Sequence, residues 1–140
     1  MGHVITRRLD VEVEFHQVDM MQVVHNSRFL LWFEKGRLAL LEEVLPMSWL
    51  IERRIGAPVV LNHCEYRWPA VWGDVLAVTT RHRLLERYEG RIEFEHSVVR
   101  RRGKLELACG RTAIALVDLD RRKLLRELPP DVWERYGSLR

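Results

Sequence analysis

The sequence predicts an α+β fold in which one long helix lies across a five-stranded antiparallel sheet. Three observations carry that expectation. Residues 26–45 hold a longer helical apolar pattern than any other stretch of the chain. Residues 59–117 read as strand after strand joined by tight turns, which implies antiparallel pairing. The order is therefore strand, long helix, four strands, and the one long apolar helix is available to cover the apolar face of the sheet.

Taken in order, Val4, Leu9, Val11, Val13 and Phe15 alternate with Arg7, Arg8, Asp10, Glu12 and Glu14 over residues 4–15, the period of a half-buried strand. A loop runs from His16 to His25. Asn26 and Ser27, both favoured N-caps, open the helix. From Phe29 to Leu45 the apolar residues cover most of the cylinder, leaving a narrow polar strip near Lys35 and Glu42, so the helix is expected to be buried nearly all round. Gly36 inside it costs about 1 kcal/mol relative to Ala, a cost that makes sense where a sheet presses on the helix backbone. Pro46 limits the helix, and a short amphipathic piece spans residues 47–54.

Strands follow over 59–68, 75–86, 91–100 and 105–117. The turns between them lie around Trp72-Gly73-Asp74, Tyr88-Glu89-Gly90 and Arg101-Arg102-Gly103-Lys104. In the third of these strands Ile92, Phe94, His96 and Val98 share one face. Pro129-Pro130-Asp131 starts a short terminal helix reaching Tyr136. No repeat or low-complexity tract interrupts the chain, and residues 1–140 read as a single domain.

Composition removes several classes. Hydrophobic and charged contents of 47% and 31% are those of an ordinary globular protein. No run of eighteen apolar residues occurs and Met1–Ile5 has no signal-peptide core, so the expected location is the cytoplasm. The two cysteines, Cys64 and Cys109, have no metal-ligand spacing and read as free thiols within strands. The net charge of +3 is modest, and the aromatic residues form no stacking platform along a basic stripe, which argues against nucleic acid. Gly-rich phosphate loops, Gly-x-Ser-x-Gly elbows and His-Glu-x-x-His motifs are all lacking.

The chemistry concentrates at residues 15–37. Asp19 is a lone carboxylate among Val18, Met20, Met21, Val23 and Val24, an apolar setting that is costly for a charge. Seven residues on, the helix start offers unpaired N–H groups and the positive end of a dipole. A carboxylate one short loop from such a helix end suits acyl transfer: the acid serves as base or nucleophile and the N–H groups receive the oxyanion. The alternatives are that Asp19 is a turn residue that bonds its own backbone, and that Asn26 is a plain helix cap.

Asp19, Val23-Val24, Asn26, Phe29 and Glu34-x-Gly36-Arg37 resemble the opening signature of the hotdog-fold acyl-CoA thioesterases of the 4-hydroxybenzoyl-CoA thioesterase type. Tyr66-x-x-Pro69-Ala70-x-x-Gly73-Asp74 is similar to that family's proline turn, and Leu128-Pro129-x-x-Val132 to its ending. The resemblance implies a hotdog fold, with the long helix wrapped by the five-stranded sheet. It also implies hydrolysis of a small or medium acyl-CoA, without a metal or redox cofactor, coenzyme A entering as part of the substrate. It assigns Asp19 as base or nucleophile, the backbone N–H of Asn26 as the polariser of the thioester carbonyl, and the Asn26 side chain as a holder of water or substrate. His25 stands where the family often has Tyr or Asn, which makes it a substrate-binding candidate beside the alternative of a surface histidine. Glu34 is a reserve carboxylate, one helical turn from Arg37. Two departures stand out: Gln17 replaces the first Asp of the family's usual pair, and Met20-Met21-Gln22 replaces a small, Gly-containing turn.

Arg100, Arg101, Arg102 and Lys104, with Arg87 and Arg91, are candidates to grip the phosphates of coenzyme A, against the alternative of a solvated hairpin tip. The same patch would suit an acidic acyl carrier protein, and a hotdog protein that binds acyl thioesters without turnover is the reading outside enzymes. A helix so apolar leaves surface that one subunit scarcely covers. Family relatives place the site between subunits, so a homodimer or homotetramer is expected.

Overall fold

The computed structural model describes residues 3–139. Its elements are β1 (Val4–Glu12), α1 (Ser27–Val44), α2 (Met47–Glu52), β2 (Ile55–Gly56), β3 (Val59–Tyr66), β4 (Val75–Arg83), β5 (Ile92–Arg100), β6 (Leu105–Ile114), β7 (Val117–Asp118), β8 (Lys123–Leu124) and α3 (Pro130–Gly137). Five of the strands form an antiparallel sheet in the order β1-β4-β5-β6-β3, and α1 lies across it, chiefly over β4 and β1. β1 stops at Glu12 rather than running to Phe15, because Val13 is drawn instead to the 73–74 turn. Its N–H donates to the Asp74 carbonyl at 2.9 Å, and its carbonyl accepts from Gly73 at 3.1 Å.

The helix is not buried all round. Phe29, Trp32, Phe33, Gly36, Leu40 and Val44 form its covered stripe, while Leu31 and Leu38 are 46% and 40% exposed. The sheet covers only one side, and no other element among the described residues lies over the exposed positions. At Gly36 the expectation of close approach holds: the sheet presses directly on the helix backbone.

The core has two apolar lobes. Phe29, Trp32, Phe33, Leu76 and Val98 anchor one beneath the start of α1. Leu40, Val44, Ile92, Phe94 and Tyr136 anchor the other beneath its end. Between the lobes runs a polar seam. His96 on β5 hydrogen-bonds through Nδ1 to Thr80 Oγ1 on β4 (3.0 Å) and through Nε2 to Thr112 Oγ1 on β6 (2.9 Å). Its ring stacks on Phe33 with centroids 4.4 Å apart. All three polar side chains are buried, and each ring nitrogen has a partner, as burial of polar groups demands. Burial, aided by the positive charge of Arg37, pushes the His96 pKa down to about 3, so the ring is neutral at ordinary pH.

The terminal helix is tied to the sheet by a second buried histidine. The Tyr136 hydroxyl is 2.8 Å from His82 Nε2 and accepts from the Leu85 N–H at 2.6 Å. The pieces β2, β7 and β8 form a small separate sheet that sequence patterning did not indicate, because two-residue strands carry no period. No helix among the described residues is long and apolar enough to cross a membrane.

Candidate active site

The loop between β1 and α1 is a hairpin. Val18 bridges Val24, and Val23 bridges Val71. At its tip the Gln22 N–H donates to the Asp19 carbonyl (2.9 Å) and the Asp19 N–H to the Val23 carbonyl (3.1 Å). Asp19 Oδ1 accepts the Met21 N–H at 2.8 Å, the side-chain turn that Asp favours. Gln22 sits at φ +66°, the left-handed position usually held by glycine in a three-residue hairpin. The missing turn glycine is thus accommodated as strain at Gln22. The other carboxylate oxygen, Oδ2, makes no hydrogen bond among the described residues. Asp19 is exposed, and so are its apolar neighbours Met20, fully, and Met21, at 81%. The hairpin projects from the chain, so the apolar enclosure expected around Asp19 does not form within it.

The helix start departs from expectation in one respect. Asn26 occupies the capping position, but its backbone is already helical (φ −52°, ψ −35°) and its side chain makes no capping bond. His25 does that work, accepting the Ser27 N–H at Nδ1 (3.2 Å) with the Ser27 hydroxyl 2.8 Å from the same nitrogen. The carbonyls of His25 and Asn26 then accept from Arg28 (3.0 Å) and Phe29 (3.1 Å). No hydrogen bond among the described residues engages the N–H groups of His25 and Asn26. Two free donors at the positive end of an 18-residue helix thus follow directly on the hairpin that carries Asp19.

The wall beside this site is aromatic. The Tyr66 hydroxyl donates to the Asn26 carbonyl at 3.2 Å, and its ring meets Phe29 edge-on at 5.4 Å. Phe15 and Trp72 form a second edge-on pair with centroids 5.2 Å apart, and both are largely exposed. Sequence reading did not single out Tyr66 as a functional residue, because its contact with Asn26 spans 40 positions.

The basic candidates separate into two groups. Arg100, Arg101, Arg102 and Lys104 close the β5–β6 turn, where the Arg101 N–H donates to the Val75 carbonyl; this is the end of the sheet that holds the 73–74 turn and the Asp19 hairpin. Arg101 is committed to an ion pair with Asp10 at 3.1 Å, and Arg100 Nε donates to the Arg102 carbonyl at 3.3 Å. Arg87 and Arg91 lie at the other end of β5, roughly 30 Å away by strand rise. There Arg87 shares a groove with Lys123 and Arg126, two cations that sequence spacing had not grouped with it. On the helix Arg37 is buried and Glu34 exposed, with no ion pair joining them; burial lowers the Arg37 pKa and the nearby Glu34 charge partly offsets this. Cys64 and Cys109 are half-buried free thiols, and burial raises the pKa of each. The described residues hold no cluster of three His, Cys, Asp or Glu that fits a metal.

A long helix laid across a β1-β4-β5-β6-β3 antiparallel sheet, with an acid-bearing hairpin leading into the helix start, defines the hotdog class. The chain belongs to the thioesterase-like superfamily, whose family model matches residues 13–135. It is 32% identical over 71 residues, 51% of its length, to the long-chain acyl-CoA thioesterase FadM of Escherichia coli. The chain spans little more than half the length of the curated relatives it matches, 54% of FadM and 57% of Bacillus subtilis YneP. Solved structures extend the likeness over nearly the whole chain. A hypothetical protein, TT1821 of Thermus thermophilus, is 28% identical at a TM-score of 0.78, covering 95% of this chain and 98% of that one. The 1,4-dihydroxy-2-naphthoyl-CoA thioesterase Slr0204 of Synechocystis, at 21% identity and a TM-score of 0.78 over 96% of this chain and 97% of its own, shares the fold.

Proposed function

We propose that the protein hydrolyses acyl-CoA thioesters at the junction of the Asp19 hairpin and the start of α1. One observation carries this reading. Asp19 is oriented through Oδ1 while Oδ2 stays free, and the helix that follows opens with two unengaged N–H groups. The Asp19 carboxylate takes a proton from a water molecule as that water's oxygen attacks the thioester carbonyl. The Asn26 N–H receives the oxyanion as it forms. Collapse breaks the C–S bond, and the departing thiolate takes up the proton held by Asp19. In the nucleophilic variant the carboxylate itself attacks, the thiolate leaves, and water hydrolyses the mixed anhydride. The name of FadM, a long-chain acyl-CoA thioesterase, supports the substrate class.

The active form is a homodimer or homotetramer on this reading. β3 is an edge strand of the main sheet, with Val59 and Val60 39% and 46% exposed, and unpaired edges invite a second chain. The exposed Met20, Met21 and Trp72 beside Asp19 would gain cover from such a partner.

Hydrolysis assays over a panel of acyl-CoAs and acyl carrier proteins test the assignment, with Asp19→Asn as the control. The variant is expected to lose about 10²–10⁴ in turnover, the range for a general base, while keeping its fold. Wild-type turnover in Asp19→Asn would make Asp19 a turn residue and end the mechanism. Light scattering at micromolar concentration tests the assembly, and a clean monomer contradicts it.

A further inference from the structure

We infer that Tyr66 is a positioning residue for the oxyanion donor, holding Asn26 in place through its carbonyl. This rests on the thioesterase reading for its catalytic consequence and on geometry alone for its structural part.

Asn26 needs an external hold. First residues of helices fray, and the Asn26 side chain makes no capping bond that would prevent it. Its carbonyl, by contrast, is engaged twice, by the Phe29 N–H at 3.1 Å within the helix and by the Tyr66 hydroxyl at 3.2 Å from outside. The outside contact comes from a firm base. Tyr66 ends β3 in register with Ala108 of β6, and the next two N–H groups, of Arg67 and Trp68, both donate to the Leu107 carbonyl (2.8 and 3.2 Å). The Tyr66 ring is braced edge-on against Phe29, which is buried. A phenol is protonated at neutral pH in any case, and burial, with the neighbouring Cys64 thiol, shifts the Tyr66 pKa further up, so the hydroxyl is able to donate.

The hydroxyl therefore ties the last residue of the β3 edge strand to the one residue whose N–H the mechanism requires. An oxyanion donor is useful only where it is already aimed when charge develops, and small displacements are costly. Tyr66 is itself 43% exposed, so its place in the structure is not accounted for by core packing alone.

Tyr66→Phe keeps the ring against Phe29 and removes only the hydroxyl. If Tyr66 positions the donor, kcat on the best acyl-CoA falls about three- to tenfold, as expected for one hydrogen bond. KM stays unchanged, the pattern for an interaction used in the transition state. Amide exchange of Phe29, whose N–H shares the Asn26 carbonyl, should rise severalfold while that of Leu40 stays as in wild type. A rise in KM alone would make Tyr66 a substrate contact and overturn the inference. Unchanged kcat would overturn it too, whether or not the exchange or the melting temperature moved. If the wild-type protein hydrolyses no acyl-CoA, the thioesterase reading fails separately. The exchange contrast then still decides whether the hydroxyl fixes the helix start.

Discussion

A Cβ added at Gly36 would lie 2.2 Å from Thr80 Oγ1, far inside contact distance. The same hydroxyl is the partner of His96 Nδ1. One glycine on α1 is therefore linked to the polar seam that separates the two lobes of the core.

Gly36→Ala should destabilise the protein by about 1–3 kcal/mol, the usual cost of overpacking, despite the gain in helix propensity. Either α1 lifts from β4, or Thr80 turns away and leaves a buried histidine nitrogen unpaired. Denaturant midpoints check this. In a double-mutant cycle, adding Thr80→Ala should make the combined loss less than the sum of the two. Strict additivity would show that the clash does not run through Thr80.

The seam also sets a pH dependence. The folded pKa of His96, about 3, lies below its ordinary value of 6.5, so the unfolded chain binds the extra proton first. Its contribution is complete above about pH 6.5 and is lost as the pH falls toward 3. The slope approaches about 1.4 kcal/mol per pH unit for this one group. His82, also depressed by burial, adds in the same direction. Thermal melts from pH 7 to 4 should show a steady fall, and His96→Gln should flatten it. An equally steep slope in that variant would assign the acid sensitivity elsewhere.

Gln22 holds a left-handed conformation that costs a side chain roughly 1–2 kcal/mol. Gln22→Gly relieves it at the expense of greater freedom in the unfolded chain. A net gain of about 0.5–1 kcal/mol is expected, read as a higher melting temperature. A loss of stability would mean that the Gln22 side chain makes a compensating contact in the assembled protein.

Of the four cations at the β5–β6 turn, Arg102 and Lys104 make no side-chain hydrogen bond or ion pair among the described residues. If they attract the nucleotide phosphates, the double variant Arg102→Ser, Lys104→Ser should raise KM for acyl-CoA severalfold, leave kcat near normal, and weaken the salt dependence of KM. Acyl-pantetheine, which lacks the nucleotide, should be hydrolysed as by wild type. Equal losses on both substrates would give the turn a structural role instead.

Much of this was legible in the chain. Apolar spacing placed the helix to within a residue at each end, because the pattern and its Asn-Ser and Pro46 boundaries are local. Alternation put His96 on the same face as Ile92, Phe94 and Val98, and Gly36 signalled a close approach. The capping position was legible at Asn26, but the side-chain bond to the Ser27 N–H comes from His25, a choice between two adjacent acceptors that local sequence does not make. The all-round apolar helix was read as all-round burial, which a single sheet cannot supply.

By itself the sequence determined the elements that depend on neighbours a few residues apart: the helix, the long strands, the tight turns and the succession of Asp19 and a helix start. Tertiary structure alone decided which distant groups meet. It paired Tyr66 with Asn26, lined up Thr80, His96 and Thr112 on three strands, and set Arg87 and Arg91 at the opposite end of the sheet from Arg100–Lys104. The reason is physical: periodicity and capping are short-range preferences, whereas strand order and register are fixed by the packing of the whole core.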